Sequence, residues 1–482
     1  MRTREVNVWR TIDWWVVAIY TVMVLSGWIS IYAASYDFDH ASIFDMGSRS
    51  GKQLMWIILA FGLGGMIMMI EARSFETLAP LIYGVMLVVL VLTIFVAPDV
   101  KGSRSWLVLG PVSIQPAEFG KFATALMLGW LCNTYNFRFT LPKNFIKACL
   151  IVIVPFLLII MQRETGSALV YLSLVIVFYR EGMSGLVMFA GLSAILFFVI
   201  GVKYGNELIG VTELGPAVVL QMILLLAAGM LYFFADNKGA GRNVLLGTVG
   251  LGGAALLVNH WYELDFVLVG LGMNLLLLVY LVVLFLQLHW HKYLVIAGFS
   301  LAFVAFLFSV DYAFNEVLEP HQQIRIKVAL GMEDDPRGAG YNVNQAKIAI
   351  GSGGFLGKGL LNGTQTKLKY VPEQDTDFIF CTIGEEEGFV GSIFVIFLFM
   401  ALILRLIHLS ERQRSVFARV YGYCVASVFL FHVMVNVGMV IGLCPVIGIP
   451  LPFFSYGGSG LWSFSILLFI FLRLDAGRLE NY

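Results

Sequence analysis

The chain has 482 residues, of which 59% are apolar and 13% charged. That charged share is about half of what a soluble protein carries, which excludes a cytosolic enzyme, a disordered chain and a nucleic-acid binder. Thirty-one basic and 31 acidic residues leave no formal net charge, so any charge logic lies in where they fall.

A spanning helix needs about 20 mostly apolar residues. Fourteen stretches qualify in chain order: 14–34, 53–70, 77–97, 119–134, 146–161, 166–180, 183–203, 217–235, 242–260, 265–287, 292–310, 379–408, 415–443 and 459–474. The fourth and sixth are short. The first follows Arg2, Arg4 and Arg10 and is too long for a signal peptide, so it reads as a retained first helix. The expected fold is an all-α polytopic membrane bundle.

Alternating the stretches from a cytoplasmic N-terminus puts 17 basic and 9 acidic residues inside, against 14 basic and 22 acidic outside. This agrees with the positive-inside rule and leaves both termini in the cytoplasm. Residues 311–377 then form one large extracytoplasmic loop. A structureless loop of that length is improbable, and 319–332 and 342–351 read as amphipathic helices at the interface.

Three charged clusters lie toward the outer face, where ionisable groups beside a span are functional candidates. The first runs Lys101-Gly-Ser-Arg104-Ser-Trp106 to Gln115-Pro116-Ala-Glu118-Phe-Gly-Lys121. Pro116 suits a helix start, and Glu118 and Lys121 share a helix face and can pair. They read either as a bundle-steadying salt bridge or, with Arg104 and Trp106, as a holder of an anionic, sugar-bearing headgroup. Trp106 alone would more often be an interfacial anchor.

The second cluster is Glu373-Gln-Asp375-Thr-Asp377. Asp377 is the last charge before a span. Partial desolvation there would raise its pKa and suit a general base, while an N-cap is the structural alternative. The third is Glu385-Glu386-Glu387. Three consecutive carboxylates cannot all face lipid, so one looks into a polar cavity or the helix starts later. Gln162-Arg163-Glu164 faces the same cavity in this reading. The run Gly351 to Gly359 is not a nucleotide loop, although Lys358 within it is placed to meet phosphate. Pro450-Leu-Pro452-Phe-Phe-Ser455 is an irregular loop that must be buried or line a cavity. The five cysteines are scattered with no CxxC pair, against a disulfide, zinc or iron–sulfur framework.

Together, KGSRSWLVLGPVSIQPAEFGKFA, QRETGSALV, GAGYNVNQAKIAIGSGGFLGKGLLNGTQ, VPEQDTDFIF with EEEGFVGS, and GIPLPFFSYGGSG resemble the SEDS family (shape, elongation, division and sporulation). The resemblance covers roughly 1–200 and 311–475. It implies a SEDS-like bundle that polymerises peptidoglycan from lipid II at the outer face of the bacterial cytoplasmic membrane. The family's essential aspartate falls on Asp377, its motif tryptophan on Trp106, and its glutamate–lysine pair on Glu118 and Lys121. A class B penicillin-binding protein is the implied partner, and MreC- and MreD-type proteins join it in the rod-shape branch, toward which the chain leans.

The family usually has ten spans, so about four helices are extra. The expected division is a core over 1–204, inserted helices over 205–310, the large loop over 311–377 and a second core part over 378–482. The insert has no assigned function, and one of its helices belongs to the core. Glu164 replaces the family's usual aspartate, and Asp375 adds a carboxylate beside the base.

The implied reaction is inverting transfer to a β-1,4 link. Asp377 is the base, and Arg104, Lys121 and Lys358 hold the pyrophosphate, with Glu118 orienting Lys121. Trp106, Glu373 and Ser455 join the substrate contacts, with Glu164, Asp375, Glu385 and Glu386 in support. A divalent cation, Mg²⁺ or Mn²⁺, is the alternative charge partner, with Asp375, Asp377 and Glu385 as oxygen ligands. The competing classes are a lipid II flippase or other transporter, and a scaffold that only recruits a transpeptidase. The sequence lacks the internal repeat many transporters carry.

Overall fold

The computed structural model describes residues 8–36, 42–100, 102–110, 112–205, 207–318, 320–333 and 339–479. Lys101, both extreme termini and the residues between these ranges, on which parts of the expected topology fall, lie outside them. The chain forms two compact units, Met1–Ser184 with Asp335–Tyr482, and Gly185–Asp334.

The first unit opens with α1 (Trp14–Ala34), α2 (Arg49–Met69), α3 (Ala72–Val96), α4 (Pro116–Cys132), α5 (Pro142–Met161) and the broken α6 (Thr165–Arg180). The second unit holds α7 (Gly185–Tyr204), α8 (Leu214–Phe233), α9 (Lys238–Asn259), α10 (Phe266–Leu288), α11 (His291–Tyr312) and α12 (Pro320–Ala329). The first unit resumes with α13 (Ala339–Gly353), α14 (Thr364–Lys367), α15 (Ile379–Glu386), α16 (Gly388–Glu411), α17 (Val416–Val440) and α18 (Gly458–Ala476).

Twelve helices among the described residues are long and apolar enough to cross a bilayer, and the protein is an integral membrane protein. The fourth and sixth expected stretches hold the shorter α4 and α6. The expected 379–408 span is interrupted: Glu387 joins α15 to α16 and Gly388 takes φ 68°. The spanning helix therefore starts at Gly388, beyond the three glutamates. Both amphipathic stretches of the large loop are helical, as α12 and α13.

Local chemistry sets the helix starts. The Asp13 side chain accepts from the Val16 N–H and the Ser48 side chain from the Gly51 N–H, which satisfies orphan donors at each N-terminus. Pro116 and Pro142 open α4 and α5, where a missing N–H costs nothing. Between α3 and α4, Leu107–Leu109 pairs antiparallel with Val112–Ile114.

Within the first unit α17 and α18 are central: 72% and 83% of their best apolar windows are buried, against 17% for α3. Lipid is as apolar as leucine, so such packing depends on close backbone approach. A Cβ on Gly27 of α1 would lie 2.4 Å from the Phe453 carbonyl oxygen, and one on Gly422 of α17 would lie 2.2 Å from Ser410 Oγ. One end of this unit carries arginine–carboxylate pairs: Arg405–Asp13 at 2.6 Å, Arg419–Glu181 and Arg180–Glu411 at 2.8 Å, and Arg412–Asp475.

In the second unit α8 is the most buried span. Asn274 of α10 donates to the Leu220 and Gly270 carbonyls. Phe197, Leu220, Ile223 and Phe303 form one of its hydrophobic clusters, and Leu231, Leu277, Leu281 and Tyr293 belong to another.

Candidate functional site

The site is built where three segments of the first unit meet: the turn 371–378, the irregular loop 441–457, and α17. Glu373 adopts φ 51°, a left-handed conformation uncommon for a side-chain-bearing residue, and its carbonyl accepts from the N–H groups of Thr376 and Phe378. The next carbonyls are each fixed by another segment. Asp375 O accepts from Tyr456 N at 2.8 Å. Thr376 O accepts from Ser455 Oγ at 2.6 Å, and Asp377 O from Asn436 Nδ2 at 2.8 Å.

Asn436 Nδ2 also donates to Ile449 O at 2.7 Å, and Ser455 Oγ accepts from Leu451 N at 2.8 Å. Leu451–Phe454 are buried, as irregular backbone in a membrane protein requires. Asp377 is half-buried, and its Oδ2 lies against Gly448, where a Cβ would sit 3.2 Å away. The aspartate is thus presented by a rigid backbone and flanked by a residue without a side chain.

Ser455 was expected to touch substrate. It is 9% exposed and its hydroxyl is engaged by backbone at both ends, so it shapes the turn. Asn436 was not among the expected site residues. It lies on an apolar helix, and the legible signal is that polar groups inside a span are costly and rarely idle. Asn436→Leu strips donors from the buried Ile449 carbonyl and the half-buried Asp377 carbonyl, at about 1–3 kcal/mol for a fully buried one. A loss of several kcal/mol in unfolding experiments is expected, and a melt unchanged from wild type would refute the clamp.

Glu118 and Lys121 do pair, at 2.7 Å and 3% exposure each, but in the interior. Lys121 Nζ also lies 3.0 Å from His432 Nε2 and 4.5 Å from the Phe464 ring centroid. An ammonium only donates, so Nε2 accepts and the His432 Nδ1–H donates to Pro450 O at 3.0 Å. Ser463 Oγ donates to Glu118 at 3.3 Å. Lys121 therefore steadies the proline loop from below and is not placed to grip phosphate. His432 and Asn436, one turn apart on α17, hold that loop together.

Lys358 is also committed, donating to Glu385 Oε1 at 2.7 Å and to Thr364 Oγ1 at 2.9 Å. Glu385 is fully buried and further accepts from Gln365 N at 3.0 Å, Thr366 N at 2.8 Å and Thr366 Oγ1 at 2.7 Å. Burial raises its pKa, but Lys358 and these donors outweigh that and hold it at about 2. The glycine run serves close packing: Cβ atoms on Gly353 and Gly357 would lie 2.0 and 2.1 Å from the Gly384 and Glu386 carbonyl oxygens.

Glu386 accepts from Leu361 N at 3.1 Å. Burial, opposed by that donor and reinforced by the charge of Glu385, pushes its pKa from 4.5 up to about 7. Folding favours its protonated form, so the stability it contributes is full below pH 4.5 and falls as pH rises to about 7, roughly 3 kcal/mol in all. Glu386→Gln should flatten that decline, and an unaltered stability–pH curve would contradict the assignment.

Arg104 is exposed, and its backbone N–H donates to Gln162 O at 3.0 Å. Trp106 is half-buried beside it. Ser105 Oγ donates to Glu164 Oε2 at 3.1 Å, and burial lifts the Glu164 carboxyl above its ordinary range despite the Ser105 and Ser103 hydroxyls. Glu164 thus secures the 103–106 turn. Asp375 pairs with Arg49, and Glu373 is exposed. Both line a cleft of about 390 Å³ with Arg49 and Lys369.

Asp375, Asp377 and Glu385 are the oxygen ligands expected for a divalent cation. Among the described residues no group of three or more His, Cys, Asp and Glu gathers as ligands. Glu385 is surrounded by donors and Asp375 holds a guanidinium, so these two carboxylates do not present free oxygens to Mg²⁺ or Mn²⁺.

A family model described as cell cycle protein, for FtsW, RodA and SpoVE, matches residues 13–235 and 266–479. The chain is similar to the peptidoglycan glycosyltransferase RodA of Treponema pallidum (strain Nichols), 29% identical over 89% of this chain and 90% of the relative. It is also similar to the peptidoglycan glycosyltransferase MrdB of Escherichia coli (strain K12), 30% identical over 84% and 80%. Its fold resembles a chain of a peptidoglycan synthase complex that coordinates polymerization and crosslinking (TM-score 0.59, 21% identity, 98% and 99% covered). It also resembles the rod shape determining protein RodA of Thermus thermophilus (TM-score 0.56, 20% identity, 98% and 99% covered).

Proposed function

The chain belongs to the FtsW, RodA and SpoVE family of cell cycle proteins, and from that premise we propose that it is a peptidoglycan glycosyltransferase acting on lipid II. The observation that carries the reading is the mounting of Asp377: a half-buried carboxylate whose own carbonyl and the two before it are each held by a different residue. Preorganised placement of this kind is what positional catalysis requires.

In the proposed step Asp377 takes the proton of the acceptor sugar's 4-hydroxyl. The oxygen attacks the anomeric carbon of the donor, the bond from that carbon to the pyrophosphate oxygen breaks, and the electron pair leaves with the pyrophosphate. In-line attack inverts the centre and gives a β-1,4 link. Of the three cations expected to meet the pyrophosphate, Arg104 alone is exposed without an ion pair among the described residues, and the role is assigned to it, with Trp106 alongside.

The orientation follows from charge. The arginine-rich end that carries Arg180, Arg405, Arg412 and Arg419 is the one the positive-inside rule favours for the cytoplasm, which supports a reading with Asp377 at the outer face of the bacterial cytoplasmic membrane and both termini inside. A class B penicillin-binding protein is the proposed partner, in line with the synthase-complex neighbour. MreC- and MreD-type elongation proteins are proposed with it. Purified protein in liposomes with labelled lipid II tests the reading. Glycan ladders support it. Changed sidedness without ladders makes the protein a flippase, and neither outcome leaves a scaffold.

A further inference from the structure

Of the twelve spanning helices, α9 (Lys238–Asn259) has the lowest mean hydropathy and is also the least buried, with 11% of its best apolar window covered. Polar positions in a span normally face protein and leave the apolar ones to lipid, so α9 has the composition of a covered helix on an uncovered face. It lies within 236–265, between the two ranges that the family model matches, so it belongs to this chain's own additions.

The uncovered face is patterned. Asn243, Gly247, Gly250, Ala254 and Leu257 follow one another at spacings of four and three in turn, and all are exposed. That alternation is the seam along which two helices pack. A Cβ added at Gly247 or Gly250 would meet nothing within 4 Å, so these glycines serve no contact inside the chain. Glycine is a poor helix former, and in a membrane its use is to let a second backbone approach. Asn243 is an independent sign of a partner: its amide makes no hydrogen bond among the described residues, and a polar group in a span is costly until it is paired. With Gly247 and Leu251 it lines a groove of about 160 Å³ over Leu224 of α8, walled on α10 by Leu276 and Tyr280. The groove therefore runs beside the seam.

We propose that α9 is the interface of a parallel homodimer, with a second copy of this chain seated on the seam. Copies inserted the same way meet about a two-fold axis along the membrane normal, and each residue on that axis faces its own counterpart. An amide carries both donors and an acceptor, so Asn243 is complementary to itself, and one such residue on a seam sets register and pairing. Like charges do not meet there, because Lys238 and Arg242 lie about 100° or more round the helix from Asn243. The groove receives an apolar side chain of the facing helix. The contact does not depend on the polymerase reading.

Full-length protein carrying donor or acceptor fluorophores is reconstituted in phosphatidylethanolamine–phosphatidylglycerol liposomes, and energy transfer is followed as lipid is added. Dimers that dissociate on dilution are expected. Gly250→Leu clashes with nothing in the single chain and should leave the melting curve unchanged. It is expected to weaken association at least about tenfold, because the two backbones can no longer approach. Asn243→Leu should weaken it about threefold, the scale of one interhelical hydrogen bond in a membrane. Leu256→Ala, exposed but off the seam, should leave it unchanged. Energy transfer that neither Gly250→Leu nor Asn243→Leu alters overturns the α9 interface, because association then uses another face. A wild type that stays single at every density also overturns it, and leaves the seam to a lipid or to a helix of another protein.

Discussion

Asp377→Asn should lower lipid II polymerisation by at least about 10²-fold and up to about 10⁴-fold, the range for loss of a general base. The substitution preserves shape. The Asp377 carbonyl still accepts from Asn436, and the Asp375 and Thr376 carbonyls still accept from Tyr456 and Ser455. The amide still fits beside Gly448. What disappears is an oxygen able to take a proton. The loss should therefore fall on the ladder assay and not on the melting curve or the amount of protein in the membrane. Near-normal strands from Asp377→Asn would end the general-base account, and a large fall in melting temperature would mean that the carboxylate is structural.

Much of this was legible in the sequence, and the reasons are physical. A bilayer demands long apolar helices, so every one of the fourteen apolar stretches met a helix. Proline and capping residues announced starts such as Pro116. The turn that carries Asp377 stood out because three carboxylates at alternate positions directly before an apolar run have few structural uses. What the sequence concealed was which partner each charge would meet. Spacing told that Glu118 and Lys121 share a helix face, but not that His432 from α17 closes over them. Lys358 looked like a phosphate ligand until the buried Glu385, 27 positions away, engaged it. Arg49 opens α2 and Lys369 follows α14, with no motif between them, and only folding brings them to one cleft.

The Glu118–Lys121 pair carries the second large expectation. Glu118→Ala leaves the Lys121 ammonium in the interior with no carboxylate paired to it among the described residues, facing the acceptor nitrogen of His432 and the Phe464 ring. Removing one member of a buried pair costs about 3–5 kcal/mol, because the stranded charge has lost both water and partner. The double variant Glu118→Ala with Lys121→Met strands no charge, so it should regain part of that loss. The pair would then be non-additive by more than about 1 kcal/mol in a mutant cycle, read by reversible unfolding in mixed micelles. Activity should not recover with stability, since Lys121 fixes the imidazole that donates to Pro450 O and the same loop supplies Ser455 and Tyr456 to the turn that carries Asp377. If the two single losses simply sum in the double variant, the pair is a bystander. If activity recovers together with stability, the hold of Lys121 on the imidazole does not matter to the reaction, because the double variant restores packing without restoring that contact.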